Sequence, residues 1–192
     1  MTKAALGFRV KSGWAMAVLL SGPKASPTVV DRRRIELADP TVHGSAQPFH
    51  AGLELPPSVV AKTVGRLVKV VERFSAHTIK ALLEEHASKG FEIKGVAIAA
   101  GSLIDPQMVK NDHIRAHAQE GSLFRRVIEE AVTARELTFM VISEKELMDK
   151  AVTLLKVPEQ KLKQELTAIG KALGGPWRAE EKAAALAAWM QL

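Results

Sequence analysis

Three residues at one helical spacing, His113, His117 and Glu120, are the groups in this chain whose types and positions best suit chemistry. They stand at i, i+4 and i+7, so on an α-helix they share one face, and Phe124, Val127, Ile128 and Ala131 continue that face. The inward stripe of such a helix is apolar in its second half and His/His/Glu in its first. Polar groups on an inward face need partners, because burying them unpaired is costly. Three arrangements meet that need: hydrogen bonds to the loop over residues 38–57, a binding or acid–base pocket, or a metal ion. In the second, His113 or His117 serves as a proton carrier, since histidine titrates near neutrality. In the third, His113, His117 and Glu120 are the ligands. Their His-x₃-His spacing suits zinc, although the intervening glutamate of a HExxH motif is missing.

Three more residues join as ligand-binding candidates. Arg9 interrupts the apolar run of Ala4–Val10 and is read as the holder of an anionic group. His50 lies in a segment rich in proline, glycine and small polar residues, too long for a simple connector. Arg125, beside Arg126 and after Phe124, forms either a basic ridge next to the pocket or a solvated helix flank.

Much other chemistry is excluded. The chain has no cysteine, so it has no disulfide, thiolate metal site or cysteine nucleophile. Neither GxxxxGK[ST] nor GxGxxG occurs, and no GxSxG elbow is present. Tyrosine is absent and aromatics are 5%, which disfavours a broad single-strand stacking surface. The net charge of +6 raises the prospect of an anionic partner only modestly, the excess reading as small and spread out. No apolar run approaches the roughly 18 residues that span a bilayer, and the first residues lack a signal-peptide pattern. The expectation is a cytoplasmic, soluble, single domain over 1–192.

The elements that must position these groups follow from period and punctuation. Ala4–Val10 and Trp14–Leu20 read as a hairpin around Lys11-Ser12-Gly13. Pro27–Leu37 is a third strand, with Arg32-Arg33-Arg34 as solvated charges of a sheet edge or an anion patch. A long helix is expected from Pro57 to about Ser88, with Gly65 packed closely on the sheet and His77 and His86 on its exposed flank. Phe91–Ala100 is a small-residue strand buried on both faces. A helical region runs from Asp105-Pro106 through His113–Arg135, followed by a strand at Leu137–Ile142. Ser143 and Glu146 match a capping box before another helix. Pro158–Leu173 and Arg178–Leu192 are the last helices, the latter anchored by Trp177 and Trp189. Trp14 is expected in the core. The order β-β-β-α-β-α-β-α-α implies an α/β fold with a mixed five-stranded sheet, antiparallel first and parallel afterwards, covered by helices.

That order, with Leu6-Gly7-Phe8 opening the first strand, resembles the ribonuclease H-like fold, and within it the RuvC-type Holliday junction resolvases of bacterial type. Val96-Ala97-Ile98 is similar to the family's central strand, Ala118-Gln119-Glu120-Gly121 to the helix after it, and Ala185-Leu186-Ala187 to the end of its last helix. The resemblance implies two divalent metals held by clustered acids. One acid belongs on the first strand, where Arg9 stands, and another after the apolar triplet, where Ala99 stands. A pair on the last helix corresponds to about Glu181 and Ala184. The expectation is therefore a RuvC-like pseudo-nuclease without magnesium or another cofactor. Its implied ligand is anionic, structured nucleic acid first, and homodimer formation through helices is a further implication. The alternatives are an enzyme with a relocated site around Arg9, His113, His117 and Glu120, or a metal-dependent nuclease whose acids are placed otherwise.

Overall fold

The computed structural model describes residues 1–192. Its strands are β1 (Thr2–Lys11), β2 (Trp14–Ser21), β3 (Thr28–Glu36), β4 (Phe91–Ala100) and β5 (Phe139–Ser143). Its helices are α1 (Pro48–Leu53), α2 (Pro57–Ser88), α3 (Asp112–Thr133), α4 (Leu147–Leu155), α5 (Glu159–Leu173) and α6 (Ala179–Trp189), with a 3₁₀ turn at Pro106–Met108. The sheet order is β3-β2-β1-β4-β5. β1 pairs antiparallel with β2 and parallel with β4, and β4 pairs parallel with β5. The mixed five-stranded sheet covered by helices is the expected α/β architecture. The short α1 adds an element to the expected order, and the three helices read after the fifth strand are α4, α5 and α6.

The hairpin turns at Gly13, whose φ of +84° is a conformation that L side chains rarely adopt. β1 and the end of β4 are buried along both faces, because helices cover the middle of the sheet on each side. Side-chain alternation divides the core. Leu6, Phe8, Val96 and Ile98 join the layer under α2 and α3, whereas Ala97 and Ala99 join the layer under α4, α5 and α6. α6 lies closely against β1, so Ala184, Ala185, Leu186, Ala187 and Ala188 are all buried. Trp189 donates its indole N–H to the carbonyl of Lys24 at 2.8 Å, and Trp177 donates to Leu166 at 2.7 Å. Both tryptophans anchor the C-terminal helices, as expected.

Several expectations are corrected. The segment over 38–57 is not structureless: Pro48 starts α1 inside it. Gly65 is exposed, and a Cβ built there meets nothing within 4 Å, so close packing is not its reason. Trp14 is only partly buried and lies under the Arg34 guanidinium at 4.4 Å. Ser143 does not cap α4; its hydroxyl donates to the Glu146 carboxylate at 2.5 Å. The β3 arginines sit on a sheet edge and are engaged: Arg33 with Asp31 and Glu85, Arg34 with Glu36, and Arg32 with the carbonyls of Gly174 and Pro176.

His86 is the largest departure. It is buried rather than on an exposed flank, and neither ring nitrogen has a hydrogen-bond partner. Asp31 approaches Nε2 at 3.5 Å, beyond good hydrogen-bonding distance. Burial holds its pKa below the ordinary histidine value, with Arg33 and Lys89 adding to that and Asp31 and Glu85 opposing it. A folded pKa below the unfolded one gives stability that is complete above about pH 6.5 and lost as pH falls through the folded value. Urea midpoints are therefore expected to fall between about pH 7 and about pH 5, and His86→Leu is expected to flatten that slope. An equal slope in both proteins would remove His86 as its source.

Candidate functional site

Arg9 faces Ala99 across the β1–β4 ladder, where both strands approach their carboxyl ends. A cavity of about 300 Å³ opens there, lined by Arg9, Lys11, Gly101, Ser102 and His117 among others. Ligands in open α/β sheets gather at this end. Arg9 is nonetheless 3% exposed and already partnered. Its Nε and Nη2 donate to the two oxygens of Glu144 at 3.2 and 2.5 Å, and its Nη1 donates to the Val10 carbonyl at 2.6 Å. The fork-on-carboxylate geometry is the strong form of this pair. Arg9 thus meets an internal counter-ion before any ligand, unlike the free anion holder expected from sequence. Arg125 pairs along its own helix with Glu129 at 2.9 Å and does not line the cavity.

The two-magnesium arrangement implied by the resemblance needs several carboxylate oxygens on facing elements. Arg9, Ala99 and Ala184 offer none. Glu181 accepts the backbone N–H of Arg178 at 3.0 Å and so closes the first turn of α6. With a guanidinium in the strand position, these residues do not fit a pair of divalent cations.

A second constellation lies beside the first. His50, brought in by α1, sets its Nδ1 2.9 Å from Oε2 of Glu120, and its backbone N–H donates to Oε1 at 3.2 Å. Glu120 is fully buried, so its acceptors are spent on His50. A carboxylate there places the imidazole proton on Nδ1 and leaves Nε2 with a lone pair. That Nε2 is buried and has no partner. An unsatisfied buried acceptor costs about 1–3 kcal/mol. His113 and His117 stand with their Nε2 atoms 3.2 Å apart, and the three rings pack edge to face with centroids 4.2 to 4.7 Å apart.

Residue placement corrects the expected division of labour. Glu120 faces inward, but His113 and His117 are exposed. Both lie against the His50 ring of α1, and His117 lines the cavity, so the polar half of the stripe is a rim. Of the expected set His113, His117 and Glu120, the two histidines converge with His50, while Glu120 stands behind His50. Spacing within one helix identified His113, His117 and Glu120 as a group. It could not supply His50's place, because only the tertiary fold joins α1 to α3.

A cationic stripe on α2 lies outside the residues singled out by the sequence. Lys62, Arg66, Lys69 and Arg73 recur at i, i+4, i+7 and i+11 on α2 and cover an arc of roughly 60° over about 16 Å. All four are exposed, and none makes a salt bridge. Four cations without a salt-bridge partner therefore share one face of α2. Because Lys89 and Gly90 alone connect α2 to β4, the helix runs back along that strand. Its cationic first half lies toward the end of the sheet that holds the cavity.

No protein-family model matches the chain, and no curated protein matches it. Solved structures do. Thermus thermophilus RuvC matches at a TM-score of 0.50 and 9% identity, over 99% of this chain and 92% of that one. The same protein in complex with a Holliday junction substrate matches at 0.52 and 11%, over the same shares. The yeast mitochondrial Holliday junction resolvase matches at 0.47 and 10%, over 99% and 80%. The chain has a RuvC-like, ribonuclease H-like fold. No helix is long and apolar enough to cross a membrane.

Proposed function

We propose that this protein binds structured nucleic acid without cutting it by a two-metal mechanism. The carrying observation is the unpaired cationic stripe Lys62, Arg66, Lys69 and Arg73 on one face of α2. Side chains at this spacing stand one helical turn apart, a repeat suited to successive phosphates, and such contacts gain affinity by releasing counterions. Support comes from the fold, since RuvC of the same fold has been solved with a Holliday junction substrate. The expected lack of cleavage rests on Arg9 and Ala99, which stand side by side on β1 and β4 and supply no carboxylate for a metal ion.

The test measures a fluorescent four-way junction, a duplex and a single strand at two salt concentrations, with and without Mg²⁺. Salt-sensitive binding that prefers the junction, with the strands left intact, is the expected result. Replacing the four stripe residues by alanine is expected to reduce the slope of log K against log salt by about 3–4. A slope unchanged in that variant would overturn the stripe as the contact surface. Mg²⁺-dependent cleavage would overturn the non-cleaving assignment.

A further inference from the structure

We propose that His50, His113 and His117 bind one divalent transition-metal ion, zinc being the best match, with Glu120 as the residue that orients His50. One nitrogen from each histidine lies within 4.8 Å of the other two. Around zinc, with Zn–N of about 2.0–2.1 Å, tetrahedral ligand nitrogens stand about 3.4 Å apart. The His113 and His117 Nε2 atoms, at 3.2 Å, already meet that separation. His50 completes the group at separations of up to 4.8 Å.

The state of His50 is the independent observation that points to a ligand. Its Nδ1 is engaged by the buried Glu120 carboxyl group at 2.9 Å, so Nε2 is the nitrogen left for a ligand. That atom is enclosed and unpartnered, and the ring it belongs to lies against both other imidazoles. A carboxylate behind a ligating histidine fixes the tautomer and raises ligand basicity, and the pair recurs at zinc sites. An all-imidazole set favours zinc, cobalt, nickel or copper over magnesium and calcium, which take oxygen ligands. Three protein ligands leave the fourth zinc position open. His117 also lines the cavity beside Arg9 and Lys11.

The inference is independent of the nucleic-acid assignment and is tested without nucleic acid. Metal-free protein, prepared without a histidine tag, is titrated with Co²⁺ and its d–d absorption followed, then Zn²⁺ is added in competition. One equivalent is expected to bind, with an absorption intensity typical of four-coordinate Co²⁺ and displacement by Zn²⁺. His113→Ala and His117→Ala change exposed residues and should leave the circular dichroism intact while weakening binding at least about 100-fold. Glu120→Gln keeps the shape of the positioning residue and is expected to cost about 10–100-fold in affinity. His77→Ala, outside the cluster, should change nothing. Several weak equivalents, or affinity indifferent to His113 and His117, would overturn the site.

Discussion

Gly7→Ala is expected to destabilise the protein by about 3 kcal/mol, lowering the melting temperature by about 6–12 °C. Gly7 sits on β1 directly beneath α6. A Cβ there would collide with the carbonyl oxygen of Ala184 and lie 2.6 Å from the backbone nitrogen of Ala188. Both opposing atoms are main chain, so no rotamer change relieves the overlap, and α6 must lift from the sheet. Lifting it also loosens the packing of Leu186 and Trp189. Gly65→Ala provides the contrast. That glycine lies on an exposed turn of α2 with space for a methyl group, and alanine is expected to add about 0.5–1 kcal/mol through helix propensity. Thermal melts of the two variants separate steric necessity from tolerance. A Gly7→Ala melt within a degree or two of the parent would show that α6 does not approach β1 so closely.

The second large effect is an asymmetry between Arg9 and Glu144. Breaking a buried ion pair costs about 3–5 kcal/mol when the survivor remains buried and uncompensated. Here the partners differ: Arg9 is 3% exposed and Glu144 46%. Glu144→Gln strands the guanidinium, and discounting for the water that reaches this half-open pair leaves an expected loss of about 2 kcal/mol. Arg9→Met keeps the apolar stem, removes the buried charge and lets Glu144 hydrate. It is expected to cost less than about 1 kcal/mol. Urea denaturation of both variants measures the difference. Junction affinity of Arg9→Met should remain near that of the parent, because its charge is already matched by Glu144. A larger stability loss in Arg9→Met than in Glu144→Gln would refute the internal counter-ion. Strong loss of junction binding would return Arg9 to the role of anion holder that its position in the strand suggested.

Most of the scaffold was legible because its signals are local. The Ser12-Gly13 turn, the apolar runs of β1, β2 and β4, and the 3.6-residue period of α2 and α3 each arise from residues near one another in the chain. Failures occurred where burial depends on what comes to lie opposite. His86 was placed outside because its helix flank looked polar, yet β3 brings Asp31 and Arg33 against it. Trp14 was placed inside because strand position favours core, yet it lies near the sheet rim under Arg34. The stripe of Lys62, Arg66, Lys69 and Arg73 obeys a local period and could have been found by applying the helical template to charges as well as to apolar residues.

The sequence by itself determined the α/β class, the mixed sheet, the lack of thiol chemistry and the grouping of His113, His117 and Glu120, since composition and periodicity are properties of the chain alone. Tertiary structure decided which charges are free and which are spent. Arg9 became an internal ion pair because a loop after β5 delivers Glu144, 135 positions away. Glu120 became the support of His50 because α1 docks on α3. Such pairings depend on distances between elements remote in the chain, which no spacing rule encodes.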